Sequence, residues 1–127
     1  MRNNFFLLII ITIISALIIT SCSNENNTMD NNLTVGGLYI TQSKEGSYGV
    51  TKILAIDGST VHIRMYDDKF EKAPADLNTA DLKFIIGHMP VAKKGFLLDS
   101  PKLLKVEKVS EEELEGYKYY LEAMKNQ

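Results

Sequence analysis

The stretch Tyr48-Gly49-Val50-Thr51-Lys52-Ile53-Leu54-Ala55-Ile56-Asp57-Gly58-Ser59-Thr60-Val61-His62-Ile63-Arg64-Met65-Tyr66 decides how the chain is read. Both halves are rich in β-branched and aromatic residues, which favour strands. Between them Asp57-Gly58 is the dipeptide that tight hairpin turns prefer, because both residues tolerate positive φ. From Thr60 to Tyr66 the alternation is strict, with Val61, Ile63 and Met65 on one face and Thr60, His62, Arg64 and Tyr66 on the other. A period of two marks a half-buried strand. The expectation is a hairpin whose first set faces the core and whose second set, with His62, faces outward.

Other elements extend from this hairpin in both directions. Before it, Gly36-Gly37 leads into the short strand candidate Leu38-Tyr39-Ile40-Thr41, and residues 43–47 form a polar loop. After it, residues 69–73 suggest a short strand ended by Pro74, and residues 75–81 a loop or one helical turn. Residues 82–86 form a further strand candidate, which Gly87-His88-Met89-Pro90 should break, since Gly and Pro both interrupt regular structure. Residues 91–99 fit a short helix or a strand, and residues 103–109 alternate as a last strand. Ser110 and Glu113 have capping-box spacing, and Glu111 to Glu113 suit the positive end of a helix dipole. Leu114, Tyr117, Leu121 and Met124 then recur at three- and four-residue steps, which predicts a helix over 111–125 with one stripe toward the core. Gly116 should weaken it by about 1 kcal/mol relative to Ala.

The predicted class is mostly β: a small curled antiparallel sheet or barrel with one C-terminal helix. Residues 48–58 with Val61-His62-Ile63-Arg64 and Tyr66-Asp67 resemble the central hairpin of SH3-like barrels of the Tudor kind, over about a third of the chain that follows the N-terminal segment. In such barrels aromatics near the hairpin ends form a cage for methylated cations by cation–π attraction. The resemblance would place Tyr48 and Tyr66, with Tyr39 and Phe70 nearby, at cage-like positions. Aromatics at strand ends otherwise serve as packing. Gly87-His88-Met89-Pro90 together with residues 111–117 is similar to a set of small uncharacterised bacterial proteins, which implies no activity.

The N-terminus carries a different message. Arg2 precedes an apolar-to-small run of 16 residues, Phe5 to Thr20, followed by Ser21-Cys22. The run is shorter than the roughly 18 to 20 residues that span a bilayer. A charged start, a compact apolar region and small residues before the cysteine fit a cleaved secretory segment instead. Ile19-Thr20-Ser21-Cys22 resembles the lipobox of bacterial lipoproteins. That resemblance implies cleavage after residue 21, a diacylglyceryl thioether on Cys22 and often a third acyl chain on its amine. Two or more chains, at about 0.8 kcal/mol per buried methylene, hold a protein on a membrane durably. Ser23 in place of Asp leans toward the outer membrane, on its periplasmic side, where the cell has one.

The expected organisation is therefore a signal peptide at 1–21, lipidated Cys22 with a polar, Asn-rich tether to residue 32, and one small domain at 33–127. Ten tether residues reach at most about 35 Å, so the domain would work close to its membrane. Removing residues 1–21 from a chain of 127 leaves 106, and without Arg2 there are 13 Lys and Arg against 16 Asp and Glu, a formal −3. That balance lacks the basic field phosphate binding demands, so no nucleic-acid partner is expected. Cys22 is the only cysteine, which leaves no internal disulfide.

No catalytic pattern emerges. The two histidines, His62 and His88, lack the third and fourth ligands of a metal motif and read as a solvent-facing and a turn residue. There is no G-x-S-x-G, and Gly36-Gly37 is not followed by a helix as a phosphate loop would be. Asp67-Asp68 and Glu111 to Glu113 have turn and capping roles. The expectation is a non-enzymatic, lipid-anchored interaction module without cofactor or metal. It would present Lys52, His62, Arg64 and Tyr66 to a protein or cell-wall partner. An immunity or inhibitor lipoprotein that neutralises a secreted toxin or hydrolase fits the same features.

Overall fold

A computed structural model describes residues 32–127. Cys22, the signal segment and all but the last residue of the tether lie outside the described residues. Five strands, β1 (Gly37–Gln42), β2 (Tyr48–Asp57), β3 (Thr60–Tyr66), β4 (Phe84–Ala92) and β5 (Lys102–Val106), form one antiparallel sheet in the order β4-β3-β2-β1-β5. The sheet is open, with β4 and β5 at its edges, and it takes the curled-sheet form of the expectation. Register shifts interrupt three of its four strand pairings, among them Ile53/Ala55 against β3. Such bulges bend strands and increase their twist. Two helices complete the fold, α1 (Lys93–Leu98) and α2 (Glu115–Lys125). Among the described residues no helix is long and apolar enough to cross a membrane.

The hairpin forms where its sequence predicts, with one adjustment. Asp57 pairs with Thr60, so the two-residue turn is Gly58-Ser59 and Asp57 ends the strand. Gly58 adopts φ +56°, at the first central position where primed hairpin turns require positive φ. Val61 and Ile63 pack with Tyr39, Ile53 and Phe96 of α1 in the first core, flanked by Met65, as the alternation demands. Tyr39 and Phe96 meet edge to face, with ring centroids 5.6 Å apart.

The opposite face differs from the expectation. It carries a second core of Leu38, Val50 and Tyr66, covered by Phe70, Leu77, Leu82 and Leu104. Val50 to Leu54 are consecutively buried, so β2 is covered on both sides. Lys52, His62 and Tyr66, expected on an outward face, are therefore buried at 1%, 0% and 5% exposure. Period two separates the two faces of a strand; it does not reveal that distant segments cover both.

Several boundaries also move. Residues 82–86 were expected to stop at Gly87, yet β4 runs through Gly87 to Ala92. An edge strand tolerates Pro90, because its missing N–H can lie on the unpaired side. Residues 69–73 contribute only the bridge between Tyr48 and Phe70. The helical turn expected within 75–81 is the 3₁₀ turn Thr79–Asp81, capped by Asn78. Residues 91–99 divide between the end of β4 and α1. The capping box forms, with Glu113 N donating to Ser110 Oγ and Ser110 N to Glu113 Oε2. Regular helix begins only at Glu115, and α2 has no fully buried residue.

Candidate functional site

The second face holds most of the molecule's buried polar chemistry. Lys52 rises from the centre of β2 into this layer. Its Nζ donates to both carboxylate oxygens of Glu113 at 3.0 Å and to the carbonyl of Lys108 at 3.0 Å, and Glu107 lies 3.9 Å away. A buried ammonium demands such partners. Burial pushes the Glu113 carboxyl up, but the Ser110 N–H and Lys52 outweigh it and hold its pKa below the usual carboxylate value. The capping box thus aims Glu113 at Lys52 as well as starting the turn before α2.

Arg64 lies beside this pair in register with Lys52. Its Nε donates to the carbonyl of Gly87 at 3.2 Å, and its guanidinium sits 4.2 Å above the centre of the Phe84 ring. Among the described residues no carboxylate comes within ion-pairing distance of Arg64. Phe84 itself is 54% exposed. Together with Tyr66, Glu107 and Glu113 these side chains line a cleft of about 530 Å³. The Tyr66 hydroxyl is pushed up to about 12, first by burial and then by the Glu113 charge, so it stays protonated. Lys52 is paired with Glu113, while Glu107 accepts from the Thr79 hydroxyl at 2.5 Å and lies 3.5 Å from Lys105, which also pairs with Asp76 at 3.0 Å. Arg64, Lys108 and Glu112 are the charged groups of this cleft without an ion pair among the described residues, and the Arg64 charge also helps hold Glu113 ionised.

At the other end of the same face lies a hydrogen-bonded chain. Asp57 Oδ2 meets His62 Nε2 at 3.1 Å, and His62 Nδ1 meets His88 Nε2 at 2.9 Å. An ionised carboxylate only accepts, so neutral His62 carries its proton on Nε2 and accepts at Nδ1; His88 must then donate from Nε2. The Tyr117 hydroxyl closes the chain by donating to Asp57, 2.8 Å from Oδ2. Tyr117 and Tyr120 of α2 pack on His62, with ring centroids 4.6 and 4.9 Å away. Burial, and then the neighbouring His62, depress the pKa of His88. The chain ends under α2: a Cβ at Gly116 would sit 3.6 Å from His88 Nδ1 and 2.6 Å from its Cβ. This hydrogen-bonded arrangement ties a helix to the sheet.

Of the four residues predicted to form one partner-binding face, the structure brings Lys52, Arg64 and Tyr66 to one cleft and leaves only Arg64 partly accessible. His62 belongs to the separate chain beneath α2. His88, read as a turn residue, is its strand partner. The aromatic cage is not assembled, because Tyr39 packs in the first core and Tyr66 is buried in the second. Among the described residues no group of three His, Cys, Asp or Glu could hold a metal ion. Phe84 enters the site without a signal in the sequence, and Asp57, Glu113 and Tyr117, expected in turn, capping and core roles, also join it through long-range partners. Gly116, within the helix predicted over 111–125 and in the first turn of α2, was the one local signal of a close approach there. No family model, curated protein or solved structure matches the chain.

Proposed function

We propose that the protein is a non-enzymatic interaction module, held at a cell-envelope membrane by lipid on Cys22, which docks an acidic group of a partner protein on Arg64 and Phe84. The observation that carries this reading is the state of Arg64: half-buried, stacked on an exposed aromatic ring, and without the carboxylate that its neighbour Lys52 possesses. A guanidinium presents planar paired donors suited to a carboxylate. An aromatic with arginine is also the pairing that concentrates binding energy at protein interfaces. Glu113 is engaged by Lys52, and Glu107 shares Lys105 with Asp76, so neither forms an ion pair with Arg64.

The test is crosslinked recovery from intact cells of the anchored protein, its Arg64→Glu form and its Cys22→Ala form. The reading expects a discrete partner that Arg64→Glu loses and a Lys44→Glu control in the exposed 43–47 loop retains. Cys22→Ala should leave the membrane fraction. An identical partner set for wild type and Arg64→Glu contradicts the docking site. A recovered partner that is a secreted toxin or hydrolase, inhibited on binding, identifies the module as an inhibitor.

A further inference from the structure

The His62–His88 contact has a proton capacity that its geometry limits. Both rings lie nearly parallel, with an interplanar angle of 10° and Nδ1 of one 2.9 Å from Nε2 of the other. With neutral rings, one proton sits between them. Adding one proton keeps that bond: either His88 gains a proton on Nδ1, or the bridging proton passes to His62 while His88 carries its proton on Nδ1. A second added proton places N–H groups on both facing nitrogens, with no acceptor between two imidazolium rings. The contact must then break.

The groups facing the pair come from three elements. From β2, Asp57 faces His62; from α2, the rings of Tyr117 and Tyr120 face both histidines; from β3, Arg64 bonds to Gly87, the residue beside His88. One carboxylate and two aromatic faces suit a single cation. Burial, and then the neighbouring His62, hold the pKa of His88 below its usual value. The helix resting on the pair is shallowly held, since none of its residues is buried and its contacts with the sheet are chiefly with β4. Segments with few buried apolar contacts open at low local cost.

We propose that His62 and His88 form a proton-counting latch for α2: the helix stays seated while the pair holds no added proton or one, and is released when the pair takes a second. The sheet keeps its structure, since both cores lie on other residues. This inference is independent of the docking role of Arg64.

The chain contains only two histidines, so the full-length protein in detergent, labelled with ¹⁵N-histidine, reports both directly. Imidazole spectra and amide exchange are followed from about pH 8 to pH 4, across the histidine range. At high pH both rings should show the Nε2–H tautomer. A first proton should move both rings together while exchange in Glu115–Lys125 stays constant. A second, lower step should coincide with a rise of about tenfold or more in exchange across α2 alone. His88→Gln retains an amide donor for His62 but takes no proton, so its helix should stay seated below the pH at which the wild type releases. Independent titration of the two rings with α2 unmoved overturns the proposal. So does release at the first step, loss of β2 and β3 protection together with α2, or an unchanged release pH in His88→Gln.

Discussion

Gly116 lies directly against His88: a Cβ added at position 116 would fall 2.6 Å from the Cβ of His88 and 3.2 Å from its ring. The close approach lets α2 rest on β4 and brings Tyr117 within hydrogen-bonding distance of Asp57. The low helix propensity of Gly116 is therefore the cost of a packing contact. Gly116→Ala gains about 1 kcal/mol of intrinsic propensity but forces α2 off the sheet, since the clashing atom belongs to a strand and cannot swing away. The expected outcome is faster amide exchange over α2 and a net loss of about 1–2 kcal/mol in urea unfolding. Gly95 in α1 is the control. A Cβ there meets nothing, so Gly95→Ala should be neutral or stabilise by up to about 1 kcal/mol.

The Lys52–Glu113 pair is fully committed to the fold. Glu113→Ala leaves a buried ammonium with only Glu107, at 3.9 Å, as a nearby carboxylate. Removing one partner of a buried pair costs about 3–5 kcal/mol, and the residual help from Glu107 places this variant near the lower end. Lys52→Met combined with Glu113→Gln removes both charges and should recover most of that loss. Urea unfolding of the two single variants and the double variant measures the coupling.

How much of this was legible beforehand depends on sequence distance. Thr60 to Tyr66 announces β3 with its correct limits, because alternation is a local property. Ser110 and Glu113 announce the capping box for the same reason. Lys52 with Glu113, His62 with His88 and Asp57 with Tyr117 are separated by 61, 26 and 60 positions, and no periodicity connects them. The alternation also distinguishes two faces without saying what covers the second. His62 was accordingly placed in solvent, although the residues that bury it come from β4 and α2. Pro90 misleads for a related reason: it breaks a central strand and fits an edge strand, and strand order is a tertiary fact.

Acid should destabilise the fold through His88. Its pKa in the folded chain is lowered from 6.5, so below that value the unfolded chain binds more protons than the folded one. The stabilising contribution is fully present above about pH 6.5 and is lost as pH falls toward and past the folded value. Urea midpoints of the wild type should fall between about pH 7.5 and pH 5, while His88→Gln should show a flatter dependence over the same interval. Equal slopes for the two proteins would place the dependence elsewhere.

Tyr117→Phe removes the hydroxyl that donates to Asp57 and keeps the ring over His62. The hydrogen bond is partly solvated, so the cost should be about 0.5–1 kcal/mol. The effect should appear in α2 amide exchange before it appears in global unfolding. A loss shared equally by the sheet would mean that the helix unfolds with the core.

The most direct test of the docking claim is site-specific photo-crosslinking in intact cells from a photoreactive residue at position 80. Ala80 is exposed and lines the cleft together with Arg64 and Phe84, so the probe reports on the cleft while leaving the Arg64–Phe84 stack in place. The account predicts a discrete crosslinked product that disappears when Arg64→Glu is introduced into the same anchored protein. The same product at the same yield with Arg64→Glu, or no product from position 80 in the otherwise wild-type protein, would contradict it.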